Sequence, residues 1–351
     1  MTRKLFRRAP SLVCYWADGQ MVIDNYLERQ RVAADPLVFE ILNFFDDWKP
    51  LQPLLAHMSE FTAGSVRKAV GDLANCSLLQ CSSDRKPSSR DRFDDWQEWN
   101  PAGGFFHFST KDVPFSFDPV AEQKFARARL QRGSVPEVTK SYPRSRKFRL
   151  PEPSQRGQLA GVLLSRRTWR EFSRRPVSLA DVGEVLGLTW RIQGQATSPF
   201  GPITFKTSPS GGARHPIEAY VAALRVHNLP RGLFHYNAER HCLELLRPGA
   251  SESQLNALLA GQKFFSRAAL VIFMTAVFAR EQWKYPTARA YRVVHLDAGH
   301  LCQTFCLVAT ALGLAPFCTA AFADTRIEKA LGIDGISESV IYAAGLGHRP
   351  E

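Results

Sequence analysis

Apolar positions along this chain fall into two spacings, and the changes between them mark its elements. Leu12–Trp16 and Met21–Tyr26 are short apolar pieces around Asp18-Gly19, a β-hairpin signal. Asp35-Pro36 predicts a helix start, with Asp as N-cap and Pro at the first position. Leu37, Phe39, Ile41, Leu42, Phe44 and Phe45 give that helix a wide apolar face. Leu51–Met58 reads as a second, shorter helix after Pro50. Thr62 caps a third, with Val66, Val70, Leu73 and Ala74 at helical spacing. Leu78–Cys81 reads as a strand. Three helices and a β element in this order predict a winged-helix-like module of about 80 residues. Such modules bind DNA, or take a peptide as an added strand. The third helix carries only Arg67 and Lys68 as cations, followed by Asp72, which is thin for major-groove reading. Peptide binding or plain packing is the expectation.

Residues 82–118 are rich in Ser, Asp, Arg and Pro, yet hold Trp96, Trp99, Phe105, Phe106 and Phe108. A long irregular connection with that many aromatics is expected to be pinned down. Residues 119–132 read as helix, and 133–153 as an extended proline-bearing linker. Gln155–Ser165 predicts a short amphipathic helix, and Ser178-x-x-Asp181 opens another to about Leu188. Residues 190–205 read as a Gly/Pro-bearing loop. Ile217–Val226, Leu233–Tyr236 and Cys242–Leu246 predict a small antiparallel meander. After a helix at Ser251–Leu259, Ala268–Val277 is a continuous apolar strand. A long helix follows from about Arg289 to Leu312, with Tyr291, Val294, Ala298, Leu301, Phe305, Val308 and Leu312 stepping by three and four. Gly313 stops it. Ala315–Phe322 reads as a loop of small residues, Asp324 as the cap of a last helix, and Ser339–Gly345 as the final strand.

The length of 351 residues suggests two domains, and 45% hydrophobic residues suffice for a core. No run of about 18 uncharged apolar residues is present, so no membrane span is expected. Met1–Arg8 is basic but lacks the apolar region and cleavage site of a signal peptide, which places the protein in the cytoplasm. The seven cysteines include no C-x-x-C pair, which argues against a disulfide framework or a zinc site. Cys302 and Cys306, one helical turn apart, read as core. The net charge of +12 is shared by both halves, against a dedicated nucleic-acid domain. It is dense only in 123–149, where nine basic residues face the single acid Glu137. That segment suits a solvated linker or an acidic peptide.

Candidate chemistry centres on Lys206-Thr-Ser-Pro-Ser-Gly-Gly-Ala-Arg-His-Pro216, a loop running into a buried strand. A Gly-Gly pair lets backbone N–H groups approach a flat ligand. Arg214 adds a planar donor fork. Arg166, Arg167 and Arg170 lie at the end of a helix, where they suit a phosphate, a carboxylate or plain solvent. Asp297 and His300 stand one turn apart on the long helix and read as a hydrogen-bonded structural pair rather than metal ligands, since no third ligand is evident.

These pieces, in this order, resemble the FMN-dependent nitroreductase superfamily, and within it the SagB-type dehydrogenases of ribosomal-peptide maturation. The resemblance covers roughly residues 155–349 and rests on Ser165-Arg-Arg-Thr-Trp-Arg-Glu-Phe172, Pro209–Pro216, Gly232-Leu-Phe-His-Tyr236, Asp297-Ala-Gly-His300 with Gln303, and Leu312-Gly-Leu314. It implies an α+β fold, a central mainly antiparallel sheet flanked by helices, preceded by the winged-helix-like domain. Residues 1–84 would be that domain, 85–153 a linker, and 154–351 the FMN-binding dehydrogenase domain. The resemblance also implies FMN held at a homodimer interface. Arg166, Arg167 and Arg170 match the first cofactor-binding segment, Ser208, Pro209, Ser210 and Gly211 the loop beside the flavin, and Thr319, Ala320 and Ala321 a backbone segment. Arg214 and Gln303 join this set, and Arg349 matches a C-terminal phosphate-binding arginine.

Lys284 and Tyr285 match the catalytic Lys-Tyr pair of azoline dehydrogenases. The chemistry is consistent: oxidising an azoline moves a hydride to the flavin and takes a proton from carbon, so a base is required. Pro286 follows where a glycine is common, which implies a stiffer loop. The expected activity is thus oxidation of a peptide thiazoline or oxazoline to the azole, with a precursor peptide as substrate and a cyclodehydratase as partner. Alternatives are desaturation of an unmodified residue, a NAD(P)H-dependent nitro- or quinone reductase, and a flavin-free peptide scaffold.

Overall fold

The computed structural model describes residues 4–83, 93–132, 155–198, 201–265 and 267–350, together with 139, 144, 147 and 150. It divides into two compact units. The first comprises Met1–Lys111, Phe278–Val294 and Ile336–Glu338; the second comprises Asp112–Val277, His295–Gly335 and Ser339–Glu351.

The first unit opens with strand β1 (Leu5–Arg8), then the expected hairpin of β2 (Leu12–Ala17) and β3 (Gln20–Asn25). Asp18 and Gly19 both take positive φ, which closes the two-residue turn. Strand β4 (Gln30–Ala33) extends this sheet in the order β2-β3-β4. Helix α1 (Pro36–Phe44) starts as read: the Asp35 carboxylate accepts from the Leu37 N–H at 2.8 Å. After the two-residue β5 (Lys49–Pro50) come α2 (Leu51–His57) and α3 (Ala63–Asn75), the latter capped by Thr62. β6 (Leu79–Cys81) completes a second sheet, β5-β1-β6. Ile41, Leu42, Phe45, Leu54, Val66, Val70 and Leu73 form the core beneath them. β1 and β4 escape the hydrophobic pattern because arginines and glutamine fill them.

The aromatic-rich connection is pinned, as expected. Phe93–Trp99 is a 3₁₀ segment and α4 (Ala102–Ser109) follows it. Trp96 and Trp99 are fully buried, and their ring N–H groups donate to the carbonyls of Ile336 (2.9 Å) and Tyr285 (3.1 Å). Around them pack His107, Phe108, α9 (Phe278–Gln282) and Tyr291, the His107 Nδ1 lying 2.7 Å from the Tyr291 hydroxyl.

The second unit is built on one six-stranded sheet. Its described connections are α5 (Pro119–Arg132), α6 (Gln158–Ser165), α7 (Leu179–Trp190), β7 (Gly194–Ser198), β8 (Gly201–Phe205), β9 (Ile217–Ala223), β10 (Gly232–Asn237), β11 (Cys242–Pro248), α8 (Glu252–Leu258) and β12 (Leu270–Val277). Then come α10 (Ala290–Ala311), β13 (Leu314–Thr319), α11 (Asp324–Leu331) and β14 (Glu338–His348). The strand order is β11-β10-β9-β12-β14-β13, with β9 antiparallel to both β10 and β12, and β13 to β14. Both faces of β9 and β12 are covered, so their sequences are nearly continuous apolar runs. Among the described residues no helix is long and apolar enough to cross a membrane.

Three expectations are corrected. The 190–205 loop contains the antiparallel hairpin β7–β8; its exposed positions mix polar Gln195 and Thr197 with Ala196, Pro202 and Phe205, so no alternation shows. The 315–322 loop is largely β13, an edge strand, which is where a proline such as Pro316 is tolerated. The cap of α11 is Ala323, which makes no side-chain cap bond; Asp324 instead accepts from the Asp112 N–H at 2.9 Å. Helix α6 also buries none of its residues: Leu159, Leu163 and Leu164 are at least half exposed.

Two outcomes follow from the sheet. Gly345 on β14 faces Phe317; a Cβ there would lie 2.5 Å from that ring and 2.7 Å from the Leu270 carbonyl oxygen. Gly345→Ala is expected to cost about 1–3 kcal/mol, seen as a lower urea midpoint at unchanged slope; an unshifted midpoint refutes the packing. His235 lies between Glu218 (2.9 Å) and Glu244 (3.0 Å). The Glu218 hydrogen bond first, with Glu244 adding and burial opposing, raises its pKa from 6.5 to about 9. The folded state then holds a proton that the unfolded state gives up, so this stabilisation is complete below 6.5 and lost as pH rises through about 9. The stability gap between wild type and His235→Gln should therefore shrink between about pH 6 and about pH 10 in urea titrations.

Candidate functional site

The loop Lys206–Pro216 is fastened along one face of α10 by three of its side chains. Asp297, buried, accepts from the Ser210 hydroxyl at 2.5 Å and from the Gly211 N–H at 3.3 Å. One turn on, His300 Nδ1 donates to the Pro209 carbonyl at 3.3 Å. A further turn on, the Thr304 and Ser208 hydroxyls meet at 2.7 Å. Positions 297, 300 and 304 share a helix face, so a loop laid along it meets all three. Burial raises the pKa of Asp297, and the bonds from Ser210 and Gly211 oppose that rise. Asp297 and His300, read as a pair hydrogen-bonded to each other, instead each bond the loop.

Past the clamp the backbone turns sharply. Gly212 has φ +57°, and Ala213 and His215 also have positive φ, at +56° and +46°. A non-glycine residue there costs about 1–3 kcal/mol unless its surroundings hold it. Here the His215 N–H donates to the Ser210 hydroxyl at 2.8 Å and His215 Nε2 to the Thr204 carbonyl at 2.9 Å. Arg214 Nε donates to the Gly212 carbonyl at 3.1 Å. The result is a rigid backbone shelf.

The arginine segment runs beside β13. Trp169 N–H donates to Pro316 O (3.0 Å), Ser173 N–H to His348 O (3.1 Å), and Phe172 packs on Phe317. Arg166 ends α6, and its charge acts on Cys306 of α10 and Cys318 of β13. Arg349 lies over the Trp169 ring at 5.3 Å, so the C-terminal arginine does meet the first segment. Arg167 folds back onto the carbonyls of Leu164 (2.8 Å) and Arg166 (2.7 Å). Arg170 is exposed and makes none of these contacts. Thr319, Ala320 and Ala321 follow β13; the Ala321 N–H donates to the Thr319 hydroxyl at 3.1 Å. Gln262, buried, holds this turn through the Thr319 hydroxyl (3.1 Å) and the Ala321 carbonyl. Gln303 is exposed on α10, next to Thr304.

Lys284 and Tyr285 belong to the first unit, in the turn after α9. Both are half-buried, and Lys284 Nζ stands 5.5 Å from the Tyr285 ring centre. Their backbone N–H groups donate to the Glu281 carbonyl, and Trp99 holds the Tyr285 carbonyl. Sequence reasoning missed Thr304, which bonds the Ser208 hydroxyl, Gln262, which holds the Thr319–Ala321 turn, and Trp99, which holds the Tyr285 carbonyl. Only Thr304 carried a signal, being one turn from His300 on the face already singled out.

A model of the nitroreductase family matches residues 163–348. MJ1384 of Methanocaldococcus jannaschii, which carries the name nitroreductase, is 32% identical over 50% of this chain and 85% of its own length. Trifolitoxin-processing protein TfxB of Rhizobium leguminosarum bv. trifolii is 32% identical over 42% of this chain, but the aligned stretch is 40% of TfxB. Among solved structures, the Escherichia coli microcin synthetase McbBCD complex with truncated pro-MccB17 bound matches at TM-score 0.50 and 19% identity, over 75% of this chain and 95% of that one. The clamped loop, the β13-flanking arginines and the matched span together place this chain in the nitroreductase family.

Proposed function

We propose that the chain is an FMN-dependent dehydrogenase of ribosomal-peptide maturation, oxidising a peptide thiazoline or oxazoline to the azole. The observation that carries the cofactor half is the shelf clamped by Asp297 together with the arginines beside β13. The glycine-bearing backbone of the shelf, with Gly212 at positive φ, and a local excess of guanidinium groups suit a planar ligand with a phosphate tail. Arg166, Arg170 and Arg349 would hold the phosphate; Arg214, Gln303 and the backbones of Ser208–Gly211 and Thr319–Ala321 would hold the rest. Arg167, turned onto its own helix end, would have to swing out to join them. Likeness to a trifolitoxin-processing protein supports the peptide half.

Bound FMN supplies the hydride acceptor. Lys284 Nζ would take the proton leaving the azoline ring carbon, and the hydroxyl of the adjacent Tyr285 would pass that proton toward solvent. Trp99 keeps the pair aimed by fixing the Tyr285 carbonyl. Exposed Leu159, Leu163 and Leu164 on α6, with Leu296 on α10 at 59% exposure, would be covered by a second copy of the chain. The β2-β3-β4 sheet, with Trp16 exposed, would receive part of the precursor peptide at an edge. A cyclodehydratase partner would supply the azoline.

The decisive experiment incubates the FMN-loaded protein with azoline peptides and weighs the products. Two hydrogens should be lost per ring, and Lys284→Met should slow this about 10²–10⁴-fold while leaving the flavin spectrum intact. If several azoline peptides keep their mass while NADPH bleaches the flavin, the chain is a conventional reductase instead. The clamp makes a separate forecast. Asp297→Ala removes two hydrogen bonds to a charged group, so FMN should bind about 10–100-fold more weakly, with faster amide exchange at 210–212. Asp297→Asn should recover part of both; unchanged FMN affinity in the alanine variant would dismiss the clamp as a cofactor device.

A further inference from the structure

Three cysteines far apart in the sequence meet at one point behind the arginine segment. Cys302 and Cys306 lie one turn apart on α10 and are both buried; Cys318, half-buried, faces them from β13. The three sulfur atoms all lie within 4.8 Å of one another. Tyr342 on β14 acts electrostatically on Cys318, and the Arg166 charge acts on both Cys306 and Cys318. Core packing accounts for a buried pair on a helix. It does not account for a third sulfur brought to the same point from a different element, β13.

We propose that Cys302, Cys306 and Cys318 form a three-thiolate site for a soft d10 cation, Zn(II) or Cu(I). The spacing argues for a metal over a disulfide. Bonds of about 2.3 Å to a common ion place three sulfurs roughly 4 Å apart, close to the separation present. A disulfide needs about 2.05 Å and would leave one thiol stranded. Thiolates select these ions over harder ones such as Mg(II) and Ca(II). Binding releases the thiol protons to solvent; Zn(II) with Arg166 offsets all the charge of the three sulfurs, while Cu(I) with Arg166 leaves one negative charge on the site. The burial of two ligands leaves little room for a reacting water, so the site is structural. It ties α10, which carries the loop clamp, to β13, which leads into the Thr319–Ala321 turn. The metal site stands without the flavin reading; that tie matters to the cofactor only if the reading holds.

The test uses full-length protein with the exposed Cys14 and Cys242 changed to serine, freed of metal and kept reduced without oxygen. Zn(II) and Cu(I) are titrated in separate arms against a competing chelator. One equivalent per chain is expected in at least one arm, with Cu(I) giving an ultraviolet thiolate band. The bound ion should shield all three cysteines from alkylation, read residue by residue by mass spectrometry, and should raise the melting temperature. Cys318→Ser should weaken binding at least a hundredfold. No bound equivalent in either arm, equal alkylation with and without metal, or undiminished binding by Cys318→Ser would overturn the proposal. If the serine variant fails to fold, the alkylation pattern of the otherwise unaltered chain decides. The arm that saturates identifies the ion, independently of any bound flavin.

Discussion

A buried carboxylate organises the surface of the second unit. Asp297 is enclosed by α10 and by the loop it holds, and burial alone would drive it toward its neutral form. Its bonds to Ser210 and Gly211 offset that cost, and the same bonds fix the loop's entry into its left-handed turn. The relation is mutual. Without the loop the carboxylate has lost its donors; without the carboxylate the positive φ at Ala213 and His215 has lost part of its support. His300 and Thr304 extend the contact along the helix, so one rigid element sets the position of the whole shelf.

The six-stranded sheet makes that rigidity affordable. Its central strands are buried on both faces, and at Gly345 the packing leaves no room even for a methyl group. β13 at the sheet edge has a free flank, along which the Trp169–Ser173 segment runs and forms hydrogen bonds. That is why residues more than a hundred positions apart, Arg166 and Cys318, become neighbours. In the first unit, two fully buried tryptophans use their only polar atoms on the carbonyls of Ile336 and Tyr285. The aromatic nest thus shapes the turn that carries Lys284.

Much of this was legible from residue order. The first-unit helices, their Asp35 and Thr62 caps, the Asp18-Gly19 turn, the β9–β11 meander, β12 and the long helix all announce themselves by apolar period or by capping chemistry. So does family membership: the resemblance was carried by the arginine segment, the Gly-Gly loop and the Asp-x-x-His step, all within the span 163–348 that the family model matches. Elements too short or too mixed to show a period were hidden: β1 and β4, each half polar, the glycine- and proline-bearing β7–β8 hairpin, and β13, whose alanine, proline, cysteine and threonine read as loop.

Sequence by itself determined the local facts: which segments bury one face, where helices start, and which residue types are present to bind an anion or move a proton. Only the tertiary structure decided partnership. That Asp297 bonds the loop rather than His300, that Gln262 shapes the Thr319–Ala321 turn, that Trp99 holds Tyr285, and that Cys318 joins Cys302 and Cys306 all depend on contacts between distant segments. Period and capping are properties of a few consecutive residues and can be read along a line. Convergence in space is a property of the folded sheet and its covering helices.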